Sequence, residues 1–322
     1  MNNNLMVERE FYMDNSEVRL DRWLAKQMPE YSRSQIVGWI TDRSVKAESY
    51  SELKPKTILP AGTKITLRIQ TDPTNSKLPK SQSMPLDIIY EDENMLIINK
   101  PIDLIVHPGA GNQNNTLVNA LMAYTEGNLS DIAGPERAGI VHRLDKDTSG
   151  LILIAKNNRF HSAMTELFKK RQVTRIYRAL VWNKPETKTG TIDAPIGRDP
   201  NNRMKMAVTE NGKDALTHFR LIKEFVNKHN QIIASELEVE LFTGRTHQIR
   251  VHLAYINLPI IGDPIYNLNR DNFGMAAQAL YAAKLAFIHP LTDVSYQFEV
   301  QPPDYYRLAK ERLENMTNVV FK

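Results

Sequence analysis

Residues Ile140 to Lys156 read IVHRLDKDTSGLILIAK. His142, Arg143, Asp145, Lys146 and Asp147 crowd into six positions, and the charge stops at Ser149 and Gly150, where the apolar run Leu151 to Ala155 begins. That pattern predicts a polar turn feeding a buried strand. Glycine reaches backbone conformations closed to other residues, so the turn can be tight enough to hold an acidic side chain at a fixed place on the rim of a sheet. An exposed charged turn has the same composition and is the commoner occurrence. The rest of the chain decides between the two.

Upstream, the apolar runs Asp87 to Tyr90 and Met95 to Asn99 flank the acidic turn Glu91-Asp92-Glu93-Asn94, which predicts a hairpin ended by Lys100-Pro101. Thr116 can cap a helix whose Leu117, Ala120, Leu121 and Tyr124 face the core. Between them His107 to Asn112 forms a glycine loop too short and wrongly spaced to bind a nucleotide, but free to line a cleft; His107 is given no chemical role. Downstream, Asn157 or Asn158 can cap a helix running to Phe168. It ends in Lys169-Lys170-Arg171, a triplet that suits a helix C-terminus and can equally meet phosphate.

Strands are expected at Val173 to Trp182, Thr217 to Phe225 and Ala234 to Phe242, then a hairpin of Lys284 to Ile288 with Ser295 to Val300, and a closing helix from Pro303 to about Glu314. Thr243-Gly244-Arg245-Thr246 should turn the chain into a helix with Ile249, Leu253 and Ile256 toward the core. His247 and Arg250 would share another face, from which Arg250 can reach a carboxylate on the sheet. His247 and His252 lie five apart with no HExxH pattern, so no zinc site is expected. Strands so close in sequence, with few helical crossovers, imply an α+β fold: a mixed, largely antiparallel central sheet with flanking helices.

Toward the N-terminus, Leu20, Leu24 and Met28 mark the apolar face of a short helix that Asn15 or Ser16 can cap, and Arg19, Arg22 and Lys26 form a basic stripe on its other side. Ser32-Arg33-Ser34-Gln35 has the pattern of a capping box opening a second helix through Ile36, Trp39 and Ile40. Lys64 to Gln70 alternates as a half-buried strand. Residues 72–84, polar with proline and serine and without periodicity, read as a linker between a small domain of residues 1–71 and a large one of 85–322.

Composition narrows the function. With 322 residues and a 42% hydrophobic share the chain can bury a substantial core. Its formal charge of +4 permits a polyanionic partner without requiring one. The absence of cysteine removes disulfides, thiolate nucleophiles and cysteine-ligated zinc. The N-terminus lacks the apolar core of a signal peptide, and no run approaches the ~20 apolar residues of a membrane span, so a cytoplasmic protein is expected.

Together with Val106 to Asn112 (VHPGAGN), Thr174 to Ala179 (TRIYRA), Thr243 to His252 (TGRTHQIRVH), Lys100-Pro101 and Pro259 to Tyr266 (PIIGDPIY), the central stretch resembles the motif set of the RluA family of pseudouridine synthases, and VHPGAGN most resembles its RluD type. The resemblance runs from about Pro85 to Lys310. RLDRWL and YSRSQIVGWI in the first domain resemble the S4 domain, a small RNA-binding module, with a departure at Asp42 to Ala47, where that family usually has a glycine-containing turn.

The resemblance implies isomerisation of uridines in large-subunit ribosomal RNA, in particular those of the stem-loop at the subunit interface, by a monomer that needs no cofactor. Other rRNA or tRNA uridines, a non-catalytic ribosome-assembly factor and a base-releasing glycosidase are the competing readings. Such an isomerase needs an ionised carboxylate, a cation that keeps it ionised, and a flat surface for the detached base. Residue type alone does not separate Asp145 from Asp147; the resemblance chooses Asp145, with Arg250 as the cation and Tyr177 as the surface. It also implies that Arg143 enters the RNA where the target base leaves and that Leu280 packs beneath the base, although Tyr281 stands where the family commonly has histidine. Arg19, Arg22 and Arg33 are the expected phosphate contacts of the S4-like unit.

Overall fold

A computed structural model of the chain describes residues 5–318 except 15–16, 29–30, 32, 72–78, 110–111, 203–204, 228, 268–269 and 276. Contacts divide the chain into two compact units, one of Met1–Ser83, His107–Ile140 and Ala155–Ser162, the other of Met84–Val106, Val141–Ile154 and Ala163–Lys322.

The first unit opens with β1 (Leu5–Tyr12), α1 (Leu20–Gln27), α2 (Arg33–Thr41), β2 (Val45–Ala47) and β3 (Lys64–Thr71). The central strand, β3, pairs antiparallel with β1 and β2. Its alternation is realised: Ile65, Leu67 and Ile69 join Leu20, Leu24, Met28, Ile36 and Ile40 in one core. β1 escaped the sequence reading because its charges break the apolar pattern; they are met across the ladder, as where Glu8 faces Arg68 at 3.1 Å.

Asn15 and Ser16, the expected caps of α1, lie outside the described residues. The cap is Arg19, with no side-chain bond, because the Leu20 and Asp21 N–H groups donate to the carbonyls of Thr57 and Pro55. Arg43 takes a left-handed φ of 67° at the turn where a glycine was missing. Also in this unit, α3 (Leu117–Tyr124) begins with a reciprocal Thr116–Asn119 capping box and buries Leu117, Ala120 and Leu121; Tyr124, at its last turn, is 49% exposed and not core.

The second unit begins with the expected hairpin, β4 (Ile88–Glu91) and β5 (Met95–Lys100), whose turn is closed by Asp92 Oδ1 accepting from the N–H groups of Asn94 and Met95 at 2.7 and 2.8 Å. β6 (Ser149–Ala155) is buried along its whole length and leads into α4 (Asn158–Lys169), capped by Asn157. There follow β7 (Thr174–Trp182), β8 (Thr189–Asp193), β9 (Ile196–Arg198), β10 (Met206–Val208), β11 (Leu216–Val226) and β12 (Ile232–Leu241). α5 (Gln248–Tyr255), β13 (Leu280–Ile288), β14 (Ser295–Glu299) and α6 (Asp304–Asn318) complete the chain. β8, β9 and β10 were not expected, being short and only partly buried.

One nine-stranded sheet runs β4-β5-β6-β13-β7-β12-β11-β8, with β14 on β13. β13 pairs in parallel with β6 and antiparallel with β7 and β14, so the sheet is mixed and largely antiparallel, as expected. Where β6 meets β13, Gly150 has φ +107°, and a Cβ there would sit 2.2 Å from the Ala282 carbonyl oxygen. Glycine is the residue this crossing admits. It fixes where the loop before β6 leaves the sheet. Two details of α5 differ from expectation. His247 precedes the helix as a left-handed N-cap, and Ile256, its C-cap, is only half-buried. Among the described residues no helix is long and apolar enough to cross a membrane.

Candidate active site

The loop 141–148 is built around two anchors. The His142 ring, half-buried, packs 5.2 Å from Phe168 and accepts the Leu153 N–H at Nε2, 2.9 Å away. Burial, then the Arg175 charge, pushes this imidazole down to about 3, so it is neutral. At the other end Thr148 donates its N–H to the Asp145 carbonyl and accepts from Gln278 Nε2 at 3.0 Å. Asp145 projects from between these anchors.

Lys100 fixes the same loop from the β5 side. It is fully buried, and its Nζ donates to the carbonyls of Pro101, Leu104 and Lys146 at 2.7, 2.8 and 2.9 Å. Burial pulls its pKa down to about 7 against the charges of Asp147, Asp145 and Asp103, and three carbonyl acceptors for three N–H donors further favour the ammonium form.

Opposite stands Arg250, in the first turn of α5 and 5% exposed at its side chain. Its Nη1 lies 3.2 Å from Asp145 Oδ2. Its Nε and Nη2 donate to Asp263 at 2.7 and 3.0 Å, and its guanidinium lies 5.2 Å from the centre of the Tyr266 ring. Burial opposes the Arg250 charge, but hydrogen bonds and charge from Asp263 and then Asp145 outweigh it and hold the pKa above the ordinary arginine value. Asp263 is itself held by the N–H groups of Ile265 and Tyr266.

The two carboxylates are therefore unequal. Asp263 is closed off, with 0% side-chain exposure, whereas Asp145, at 17%, takes one donor on one oxygen and leaves Oδ1 without a partner among the described residues. Among the described residues Arg250 pairs with Asp145 and Asp263 and not with Asp147.

Asp145, Arg250, Tyr177, Arg143 and Leu280, the five residues expected in the large domain, line a single cleft. Tyr177, 5% exposed on β7, and Leu280, 3% exposed at the start of β13, form its apolar wall. Burial pushes the Tyr177 phenol up to about 12. Arg143 is exposed at the rim. Arg22 is exposed on α1, Arg19 is paired with the buried Asp21 at 3.0 Å, and the Arg33 side chain, with the Ser32–Gln35 capping pair, lies outside the described residues.

Sequence reasoning gave no role to Asp263, Tyr266 or Arg245. Asp263 had a signal: it follows the apolar Leu258 to Ile261 after a single glycine, and an acid carried into the interior by such a run requires a cation. Arg245 also lines the cleft, its Nε fixed on the Asp214 carbonyl at 2.9 Å, and His247 bonds the Tyr266 hydroxyl at 3.1 Å. Tyr281, standing where a histidine was expected, does not line this cleft and packs edge-on against Tyr306 at 4.9 Å.

Residues 94–255 match the family model described as RNA pseudouridylate synthase. An RNA pseudouridine synthase of Bacillus subtilis described as uncharacterized, YlyB, is 41% identical over 89% of this chain and 91% of its own. Ribosomal large subunit pseudouridine synthase D of Pseudomonas aeruginosa and that of Escherichia coli are each 40% identical, covering 89% and 88% of this chain and 89% and 87% of their own. The solved structure of human RNA pseudouridylate synthase domain containing 1 superposes with a TM-score of 0.55 at 25% identity, over 68% of this chain and 84% of that one. With this fold, these motifs and relatives of such identity over nearly their whole length, the chain belongs to the RluA family of RNA pseudouridine synthases and is RluD-like.

Proposed function

We propose that the protein isomerises specific uridines of large-subunit ribosomal RNA to pseudouridine, with Asp145 as the reacting carboxylate. The observation that carries this reading is the contact of Asp145 with Arg250 in a cleft walled by Tyr177 and Leu280. The reaction breaks the bond from N1 of uracil to the ribose C1′ and forms one from C5. A proton leaves C5 and one is gained at N1, so nothing is oxidised and no group is lost. Arg250 keeps Asp145 ionised and aims it; the free Oδ1 faces the reacting nucleotide. The Tyr177 ring holds the detached uracil by stacking, and Leu280 closes the space beneath it. Arg143, at the rim, takes the place of the base that has left the RNA helix.

The names of the Pseudomonas and Escherichia relatives support large-subunit RNA as the substrate class, with the stem-loop at the subunit interface as the target. In this reading residues 1–71 are an S4-like module in which Arg19, Arg22 and Arg33 meet phosphates, 72–84 are a linker, and 85–322 catalyse. The enzyme works as a monomer in the cytoplasm. The test uses protein-free large-subunit RNA tritiated at C5 of uridine, incubated with wild type and with Asp145→Asn. Tritium release by wild type alone, with new pseudouridines mapped to the interface stem-loop, is expected. Release by the variant would reject Asp145, and free uracil would show a glycosidase instead.

A further inference from the structure

The α6 helix is tied to the sheet by polar contacts that mostly lie far from the cleft: Tyr306 donates to Glu236 on β12, Lys310 pairs with Glu236, and Lys223 on β11 pairs with Glu314. Tyr305 is different. Its hydroxyl donates to the Leu280 carbonyl at 2.8 Å and lies 2.9 Å from Ser149 Oγ. Since its one proton is used on Leu280, the Ser149 hydroxyl must be the donor of the second bond.

These two partners are the points that matter for geometry in the cleft. Ser149 is the first residue after the turn that carries Asp145, four positions on, and Leu280 shares with Tyr177 the apolar wall of the cleft. They belong to β6 and β13, which pair in parallel only at Tyr281 with Ser149 and Ala282 with Gly150. So short a ladder leaves the register of the two strands weakly held by backbone bonds alone. The Tyr305 hydroxyl closes that gap from outside the ladder, and the Gln278 bond to Thr148 closes it from the other side.

We propose that Tyr305 is a positioning residue for pseudouridine formation, its hydroxyl setting the distance between the Asp145 turn and the Leu280 wall. The proposal rests on Asp145 and Leu280 acting as described above. It touches no substrate, so its effect falls on turnover, not on RNA affinity: a carboxylate displaced by a fraction of an ångström binds the same RNA but meets the ribose and base badly.

The test compares full-length wild type with Tyr305→Phe, Ser149→Ala, their double variant, Tyr306→Phe and Asp145→Asn in tritium release, with Tm measured for each. Tyr305→Phe keeps the ring and is expected to lower kcat about tenfold or more while KM for RNA stays within about twofold. Ser149→Ala should move kcat in the same direction, and the double variant should be no slower than Tyr305→Phe, since both cut one link. Tyr306→Phe, on the same helix but bonded to β12, should lower Tm without this loss of kcat. A Tyr305→Phe enzyme with wild-type kcat, or losses that multiply in the double variant, would overturn the proposal. Should Tyr305→Phe fail to fold, Ser149→Ala decides alone, and unchanged turnover by it overturns the proposal. Activity in Asp145→Asn would instead remove the site beneath it, which is a separate failure.

Discussion

Asp263 grips Arg250 through two hydrogen bonds, Nε to Oδ2 at 2.7 Å and Nη2 to Oδ1 at 3.0 Å. This pairing is closer and better enclosed than the one Arg250 makes with Asp145. It leaves both N–H groups of Nη1 and one of Nη2 outside that grip, and Nη1 reaches Asp145 Oδ2 at 3.2 Å. Replacing Asp263 by Asn leaves a buried guanidinium short of its main partner. Asp263→Asn is expected to cost about 3–5 kcal/mol of stability and to lower kcat. Denaturant unfolding checks the first, and an unchanged midpoint would show that Asp145 alone suffices to hold the charge.

Gly150 offers a sharper test of the fold. Gly150→Ala must accept a left-handed φ and push its methyl group against the Ala282 carbonyl, with backbone strain of about 1–3 kcal/mol and overpacking of similar size. The variant is expected to unfold at markedly lower temperature, and wild-type thermal stability would mean that β6 and β13 can separate at no cost.

Acid stability should depend on His142. Its folded pKa, lowered from 6.5 to about 3 by burial and then by Arg175, means that the unfolded chain binds the proton more readily. The contribution is therefore full above pH 6.5 and is lost progressively as pH falls toward 3, on the order of 5 kcal/mol in all. His142→Gln, which can still accept the Leu153 N–H, should flatten the pH dependence of unfolding over that window; an unchanged slope would assign it to other groups.

For Tyr177, a phenol pushed up to about 12 stays neutral at working pH, and in the proposed reaction the ring is the part in use. Tyr177→Phe should retain turnover within a few-fold, whereas Tyr177→Ala removes the stacking surface, worth roughly 1–3 kcal/mol per base. Single-turnover rates separate the two, and an inactive phenylalanine variant would give the hydroxyl a chemical part.

The central stretch was legible because its physics is local. A charged turn, a glycine at the switch and an apolar run define a loop on a buried strand whatever surrounds them, and the Asp92 turn, the Asn157 cap and the Thr116 box are equally local. What failed to show depends on distant partners. β1 became a strand because β3 lies beside it, Arg19 caps α1 because the Pro55 to Thr57 loop supplies acceptors, and Asp263 became a site residue because Arg250, 13 positions away, turns toward it. Motifs placed Asp145, Tyr177 and Arg250 in one list, but the order in which two carboxylates share one arginine is a fact of three dimensions.

The ammonium group of Lys100 gathers three carbonyls, one of them belonging to the residue next to Asp145, much as a bound alkali cation would. Because that cation is tethered by its own side chain, dissolved ions do not compete for the place, and the shape of the turn is insulated from the medium. Attraction of RNA to surface arginines has no such insulation and falls as salt rises. The enzyme thus divides its response to ionic strength: added salt should raise KM for RNA steeply and leave kcat almost level, so that substrate capture is tuned by the surroundings and the chemistry is not.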